Sequence, residues 1–244
     1  MPVHNGGTPV ADYLGEHADE VLLVGARTLP LREAADYVRT YLASDANGPR
    51  STTPFAYPAY DGYPGSAGLG LGPQDLFAPA LLNVPLYSLR TYYELVDALP
   101  RVNDRLRSVP AYLSLADAED DVLNRAADVF AILDGRDAPF GVSLTTLAKI
   151  VHRKRPQLIP LWDDHIAVCY VRAGADQDPR IRPDKSRSWR DFVALWLPKV
   201  QEDLRGRRQA WDALARLTPA GDPSITPLRA LDIVGWHLGS TPIA

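Results

Sequence analysis

Cysteine is nearly absent from this chain, since Cys169 is the only one among 244 residues. A single thiol excludes an intrachain disulfide, a zinc site built from several cysteines and an iron–sulfur cluster held by four. The five histidines are not spaced as a set of metal ligands. The sequence therefore predicts no metal and no cofactor, and the scarcity of cysteine favours a reducing cytoplasm.

Long apolar runs are also missing. No stretch approaches the roughly 18 apolar residues of a membrane span, and residues 1–20 lack the charged-then-apolar pattern of a signal peptide. The chain has 26 Lys and Arg against 30 Asp and Glu, a formal net charge of −4. Because the whole surface cannot attract nucleic acid or an anionic membrane, any anion must bind at a local basic patch. We expect a cytoplasmic protein without a membrane partner.

Helical periodicity, by contrast, extends over most of the chain. The only good strand pattern is EVLLVGA at residues 20–26. The predicted helices cover residues 30–44, 73–100 with an interruption at the Asn-Val-Pro of 83–85, 114–135, 144–153, 164–173, 188–219 as one long helix with Pro198 as a candidate break, and 226–239. The sequence thus predicts a mainly α-helical single domain. In it, residues 1–72 supply a helix and a loop that pack on a helical core of residues 73–244.

The longest stretch rich in proline and glycine, residues 45–73, is also rich in tyrosine. Tyr57, Tyr60 and Tyr63 recur at every third position. One interpretation is an ordered loop whose tyrosines pack on the body of the protein. The other is a lid or a platform on which a base stacks, with Tyr60 as a candidate.

The segment GVSLTTLAKIVHRKR, residues 141–155, begins with a glycine turn. Backbone N–H groups at the turn and at the helix start after it, from Gly141 and Val142 to Ser143 and Thr145, can bind a phosphate. Arg153, Lys154 and Arg155 follow at the end of the helix. Basic residues there either complement the helix dipole or contact phosphates.

The next segment, PQLIPLWDDHI, places Trp162 before Asp163, Asp164 and His165 at a helix start. An aspartate in that position is most often an N-cap. One cap accounts for one aspartate and leaves the other unexplained. A carboxylate beside an apolar wall can instead act as a base or stabilise positive charge, and the sequence does not distinguish Asp163 from Asp164 in that role.

These residues resemble the helix-hairpin-helix DNA glycosylase superfamily, which includes endonuclease III and 8-oxoguanine glycosylase. The resemblance implies a hairpin at about residues 122–173 that grips backbone phosphates through Gly141 and Val142. It also implies that Asp163 is the catalytic aspartate and that His165 matches the histidine two positions later. Ser143 stands at the second hairpin glycine and Thr145 at the Schiff-base lysine, so the resemblance implies a monofunctional enzyme.

A wider resemblance covers nearly the whole chain. The segments GPQDLFAPALLNVP, KIVHRKRPQLIP and PLRALDIVGWHL are similar to an actinobacterial family catalogued as a domain of unknown function. This similarity implies a shared fold and no particular activity.

The leading hypothesis is a DNA-repair protein that binds duplex DNA through phosphates and removes a base. Asp163 would stabilise the sugar cation or orient water, and Trp162 or Tyr60 would stack on the extruded base. The alternatives are a non-catalytic DNA- or protein-binding module and a fold redirected to a small nucleoside-like ligand. In the last helix, Arg229 and Asp232 are interpreted as an exposed i,i+3 pair and Trp236 as a core residue.

Overall fold

Nine α-helices and one two-stranded sheet form the part of the chain that the computed structural model describes, residues 10–43, 54–86, 88–172 and 178–241. The helices are α1 (Val10–Glu16), α2 (Leu31–Leu42), α3 (Leu89–Leu106), α4 (Asp120–Asp128), α5 (Leu144–His152), α6 (Asp164–Ala167), α7 (Trp189–Gly206), α8 (Arg208–Ala215) and α9 (Pro227–Ser240). Segments of 3₁₀-helix cover Pro73–Leu82, Leu115–Asp117 and Val129–Leu133, and a π-helical turn, Val168–Arg172, extends α6. The predicted mainly helical single domain is confirmed.

The predicted strand is present as one arm of a tight hairpin. Strands β1 (Val21–Val24) and β2 (Arg27–Pro30) pair antiparallel, with Val24 opposite Arg27. Between them Gly25 has a φ of 62° and its N–H donates to Asp203 Oδ2 at 2.7 Å. An added Cβ there would lie 2.2 Å from the backbone oxygen of Cys169. Only glycine at this turn therefore allows the hairpin to lie this close to the π-helical turn and α7.

Several helix boundaries differ from the predicted ones. Helix α3 continues through Pro100 to Leu106, and only residues 120–128 of the helix predicted over 114–135 are α-helical. The long helix predicted over 188–219 continues through the candidate break at Pro198 as α7, and the chain leaves the helical conformation at Arg207, where φ is −140° and ψ is 43°. A proline in a helix interior removes one hydrogen bond, and Trp196 and Val200, both fully buried, keep the segment packed on the core. The segment after Pro73 is 3₁₀-helix, closed by Asn83 in the left-handed region with a φ of 56°.

Helix α9 lies at the centre of the molecule and packs on α6, α8 and α2. Its residues from Leu228 to Gly235 are all buried. Glycine permits the close approach to α6: a Cβ at Gly239 would lie 2.1 Å from His165 O, and one at Gly235 would lie 2.9 Å from Ile166 Cδ1. This contact places the last turns of α9 against the start of α6.

The tyrosine-rich loop packs on the helices rather than extending from them. Tyr57 and Tyr60 are fully buried. The Tyr60 hydroxyl donates to Lys149 O at 2.9 Å, and the Tyr57 hydroxyl donates to Pro223 O at 3.0 Å. These contacts favour the ordered-loop interpretation for residues 54–63, while residues 44–53 lie outside the described part of the chain. None of the described helices combines the length and hydropathy that a membrane span needs.

Candidate functional site

A pocket of about 100 Å³ lies between α2, α5, α6 and α9 and is closed on one side by residues 54–56 of the tyrosine-rich loop. Four charged side chains converge on it: Lys149, Asp163, Arg229 and Asp232. The remaining walls are apolar, aromatic or amide side chains, namely Tyr41, Pro54, Phe55, Ala56, Leu82, Asn83, Leu161, Ile166, Ile233 and Trp236.

Asp163 uses its two carboxylate oxygens differently. Oδ1 caps α6 by accepting from the backbone N–H groups of His165 at 3.0 Å and Ile166 at 3.1 Å. Oδ2 lies 3.6 Å from Lys149 Nζ. The capping and the pocket-lining interpretations of this aspartate are therefore compatible, because one oxygen is sufficient for the cap.

Lys149 is only 3% exposed and reaches the pocket from the buried face of α5. Burial lowers the pKa of its ammonium group, and the charge of Asp163 opposes that shift. The buried Lys149 ammonium group therefore loses its proton at a lower pH than that of a surface lysine.

Arg229 forms a second ion pair beside the first. Its Nε donates to Asp61 Oδ1 at 2.8 Å, and its Nη2 donates to the hydroxyl of Tyr41 at 2.7 Å. All three side chains are buried. The arginine thus joins α9 to α2 and to the tyrosine-rich loop, and its position among the aromatic rings is fixed by these bonds.

Asp232 lies one helical turn beyond Arg229 and is also buried. Its Oδ2 accepts a 3.3 Å hydrogen bond from the backbone N–H of Leu161. Burial raises the pKa of Asp232 well above the ordinary value of an aspartate, although Arg229 opposes the shift. The protonated, neutral form of the Asp232 carboxyl therefore persists to a higher pH than that of an exposed aspartate.

The other two residues of the Asp-Asp-His sequence do not line this pocket. Asp164 is 87% exposed and pairs with Arg172 at 2.7 Å on the opposite side of the chain. His165 stacks edge-on against Trp236, with ring centroids 5.0 Å apart. The structure thus places Asp163 and not Asp164 in the pocket, whereas the sequence does not distinguish the two.

The three basic side chains at the end of α5, residues 153–155, form hydrogen bonds to other segments of the protein. Arg155 donates from Nε to Val109 O and from Nη2 to Leu106 O, both at 2.8 Å, and is buried. Arg153 donates to Tyr63 O, and Lys154 donates to Ser66 O and pairs with Asp75. These side chains hold the tyrosine-rich loop and the end of α3, which leaves few donors for a phosphate.

The glycine turn before α5 has the expected backbone geometry. Gly141 is exposed with a φ of 73°, and Val142 is half-buried. The Ser143 hydroxyl caps α5 by accepting from Thr146 N at 3.1 Å. Ser143 and Thr145 line a surface groove that Trp162 and Asp164 also border.

Residues 161–164 therefore form the wall between two cavities. Leu161 and Asp163 face the interior pocket, whereas Trp162 and Asp164 face the groove. Trp162 is nearly buried, and its ring contacts Trp196 and Phe192 edge-on at centroid distances of 4.8 and 4.9 Å. Of the two predicted stacking residues, neither Trp162 nor the fully buried Tyr60 lines the interior pocket.

The comparison with family models identifies what the chain is similar to. The model described as a family of unknown function, DUF6308, matches residues 34–239. The chain belongs to the DUF6308 family. The match runs from α2 to α9, so the DUF6308 region contains all four charged residues of the pocket. No curated protein and no solved structure matches the chain. DUF6308 membership supplies no activity, and the glycosylase and actinobacterial parts of the resemblance stay predictions.

For three pocket residues of this DUF6308 protein, the sequence predicts an exposure that differs from the one in the structure. Arg229 and Asp232 were expected to form an exposed pair, and both are buried. Trp236 was expected in the core, and it is 37% exposed at the pocket wall. The sequence feature that could have identified Arg229 and Asp232 is that they are charged and interrupt a mostly apolar helix. The described residues contain no cluster of three His, Cys, Asp or Glu that could hold a metal ion.

Proposed function

We propose that the interior pocket binds one ring of a nucleoside-like substrate and that the protein hydrolyses the N-glycosidic bond of that substrate. The observation that carries this proposal is the convergence of Lys149, Asp163 and Asp232 on one partly open pocket with aromatic side chains in its walls. A pocket that combines apolar walls with a few convergent polar groups of shifted pKa is the strongest candidate for an active site.

The size of the pocket limits what it can hold. Pockets for whole drug-sized ligands span roughly 300–1,000 Å³, whereas this one measures about 100 Å³. It has room for a single ring, either base or sugar, with the rest of the substrate outside. The aromatic side chains of Tyr41, Phe55 and Trp236 suit a planar ring.

The charged groups can divide the work of hydrolysis. As the bond between C1′ and the base nitrogen breaks, its electron pair goes to the nitrogen, which takes the proton of the neutral Asp232 carboxyl. The Asp163 carboxylate stabilises the cation that develops on the sugar and orients a water molecule. Water adds to C1′, and the proton it loses restores Asp232, so the products are the free base and the sugar. Lys149 holds Asp163 in place.

The helix-hairpin-helix core at residues 122–173 belongs to the same proposal. Its glycosylase-like interpretation makes duplex DNA with an extruded base the second candidate substrate, since an extruded base would enter a single-ring pocket. The exposed turn at Gly141 favours this candidate. The commitment of Arg153, Lys154 and Arg155 to backbone carbonyls favours the free nucleoside.

The experiment measures base release by chromatography from two sets of substrates. One is a panel of free nucleosides, and the other is duplex oligonucleotides that carry damaged or mismatched bases. Asp163→Asn keeps an N-cap oxygen but removes the charge, and we expect its rate to fall by about 10²–10³. Asp232→Asn removes the proton donor, and we expect a loss of about 10²–10⁴.

The neighbouring aspartate supplies the matched control. Asp164→Asn removes the same charge from an exposed side chain at the same helix start, and we expect no loss of rate. Circular dichroism and thermal unfolding verify that all three variants are folded. If no substrate in either set releases a base, or if Asp163→Asn is as active as Asp164→Asn, the hydrolase proposal fails and Asp163 is a cap alone.

A further inference from the structure

A second cavity, on the outer side of residues 161–164, has a different character. It is a groove of about 650 Å³ between the start of α5, the outer side of α6 and residues 182–189. Its charged lining consists of Arg172, Arg182, Lys185 and Arg187 against Asp164 and Asp184. The basic residues therefore outnumber the acidic ones there, although the chain as a whole is acidic.

Two of these cations have no carboxylate partner in the described part of the chain. Arg172 pairs with Asp164 at 2.7 Å, and Arg187 lies 3.8 Å from Asp184. Arg182 and Lys185 are exposed, and neither forms an ion pair with any residue in the described part of the chain. The groove thus has the local positive charge that the net charge of −4 makes necessary for binding an anion.

The groove also offers an aromatic face. Trp189, at the start of α7, is 42% exposed and stands edge-on to Phe192 with ring centroids 6.3 Å apart. Its backbone N–H donates to Asp134 Oδ1 at 2.7 Å, and the next N–H, of Arg190, donates to Asp134 Oδ2. Because these bonds fix the start of α7, the indole is presented at a defined position beside the cations.

We propose that this groove binds a single-stranded nucleic acid, with phosphates on Arg182 and Lys185 and an unpaired base stacked on Trp189. Positive charge along a groove together with an exposed aromatic ring is the combination that binds single strands without sequence preference. A duplex is a poorer fit, because the faces of its bases are already stacked on one another. The proposal does not depend on the hydrolysis assigned to the interior pocket.

The experiment measures fluorescence anisotropy of a labelled DNA strand of about 12 nucleotides, within the usual site sizes, over a salt series. We expect the affinity to fall as salt rises. The double variant Arg182→Gln/Lys185→Gln is expected to lower the slope of log K against log salt by about 1.4, two contacts at roughly 0.7 each for single strands. An RNA strand of the same length is expected to behave in the same way.

Trp189 is tested separately from the charges. Trp189→Ala is expected to weaken binding by about tenfold or more without changing the salt slope, because stacking releases no counterions. Trp189→Phe keeps an aromatic face and is expected to retain part of the affinity. The control is Arg32→Gln/Arg39→Gln on α2, which also removes two exposed positive charges but does not touch the groove. It is expected to leave the slope nearly unchanged.

Three results would overturn the proposal. One is binding no tighter than the weak non-specific level of roughly 10⁻⁴ M at physiological salt. Another is a matched duplex, or thymidine monophosphate, that binds as tightly as the single strand. The third is an equal change of salt slope in the groove variant and the α2 control, which would assign the binding to charge in general.

Discussion

The two aspartates at the start of α6 show how far one position along the chain changes the chemistry of a residue. Asp163 places one oxygen on the backbone of α6 and the other 3.6 Å from a buried lysine. Asp164 places its carboxylate on the surface, against Arg172. Successive side chains of an extended segment point to opposite sides. Asp163 therefore lines the pocket, whereas Asp164, the next residue, lines the groove.

His152 is a residue whose titration should be visible in the stability of the protein. It is buried at the end of α5, and its Nδ1 lies 2.6 Å from Ile159 O. A carbonyl oxygen only accepts hydrogen bonds, so Nδ1 carries the proton of the neutral ring. Burial lowers the pKa of His152 to about 3.

We predict that wild-type protein loses stability relative to His152→Gln as the pH falls below about 6. The unfolded chain binds a proton near the ordinary pKa of 6.5 while the folded chain stays neutral down to about 3. The gap in unfolding free energy between the two proteins should therefore narrow by about 1.4 kcal/mol per pH unit within that window. Urea unfolding at several pH values measures the gap, and a gap independent of pH would refute the prediction.

Among the elements, the end of α5 joins the tyrosine-rich loop to the end of α3. Arg153 and Lys154 hold the tyrosine-rich loop by its carbonyls, and Arg155 holds the end of α3. The sequence showed a basic run after a helix, for which a helix-dipole role and phosphate binding were both considered. In the structure these side chains instead donate to backbone carbonyls of distant segments. Whether such carbonyls lie within reach is a property of the fold and not of the local sequence.

We predict that Arg155→Lys destabilises the protein by about 3 kcal/mol, since a single ammonium group cannot replace a guanidinium that donates to several buried carbonyls. Urea denaturation measures the loss. The matched control is Arg107→Lys, where the arginine is an exposed partner of Asp104 at the end of α3, and a change within about 0.5 kcal/mol is expected. Equal effects of the two substitutions would show that Arg155 is not a structural anchor.

Most element types could be predicted from the sequence, whereas several helix boundaries could not. Apolar periodicity predicts α5, and an aspartate cap predicts the start of α6, both from local interactions. The passage of α7 through Pro198 and the 3₁₀ form of Pro73–Leu82 depend on packing against other segments. Tertiary contacts of this kind override local propensity, and they cannot be seen in a window of the sequence.

At the scale of the whole molecule, the pocket exists because α9 lies on α6 at the distance of a backbone contact. The pocket walls come from α2, the tyrosine-rich loop, α5, α6 and α9, which are far apart in the sequence. Gly239 permits this contact, because its missing side chain leaves room for the backbone of His165.

We predict that Gly239→Ala destabilises the protein by about 1–3 kcal/mol, the usual cost of overpacking. Helix propensity alone would favour alanine by about 1 kcal/mol, but a Cβ would lie 2.1 Å from His165 O. The control is Gly15→Ala in α1, where nothing lies within 4 Å of an added Cβ and a gain of about 0.5–1 kcal/mol is expected. Thermal unfolding measures both, and a more stable Gly239→Ala variant would contradict the close α6–α9 contact.

The sequence by itself determined the helical class, the hairpin strand, the glycine turn before α5 and an aspartate cap at α6. Each of these follows from neighbours within a few residues, through periodicity, capping and backbone freedom. Only the tertiary structure decided that Lys149, Asp163, Arg229 and Asp232 share one pocket and that the basic run faces inward. Those outcomes depend on burial and on partners distant in the chain, because desolvation and ion pairing act between residues that meet only after folding.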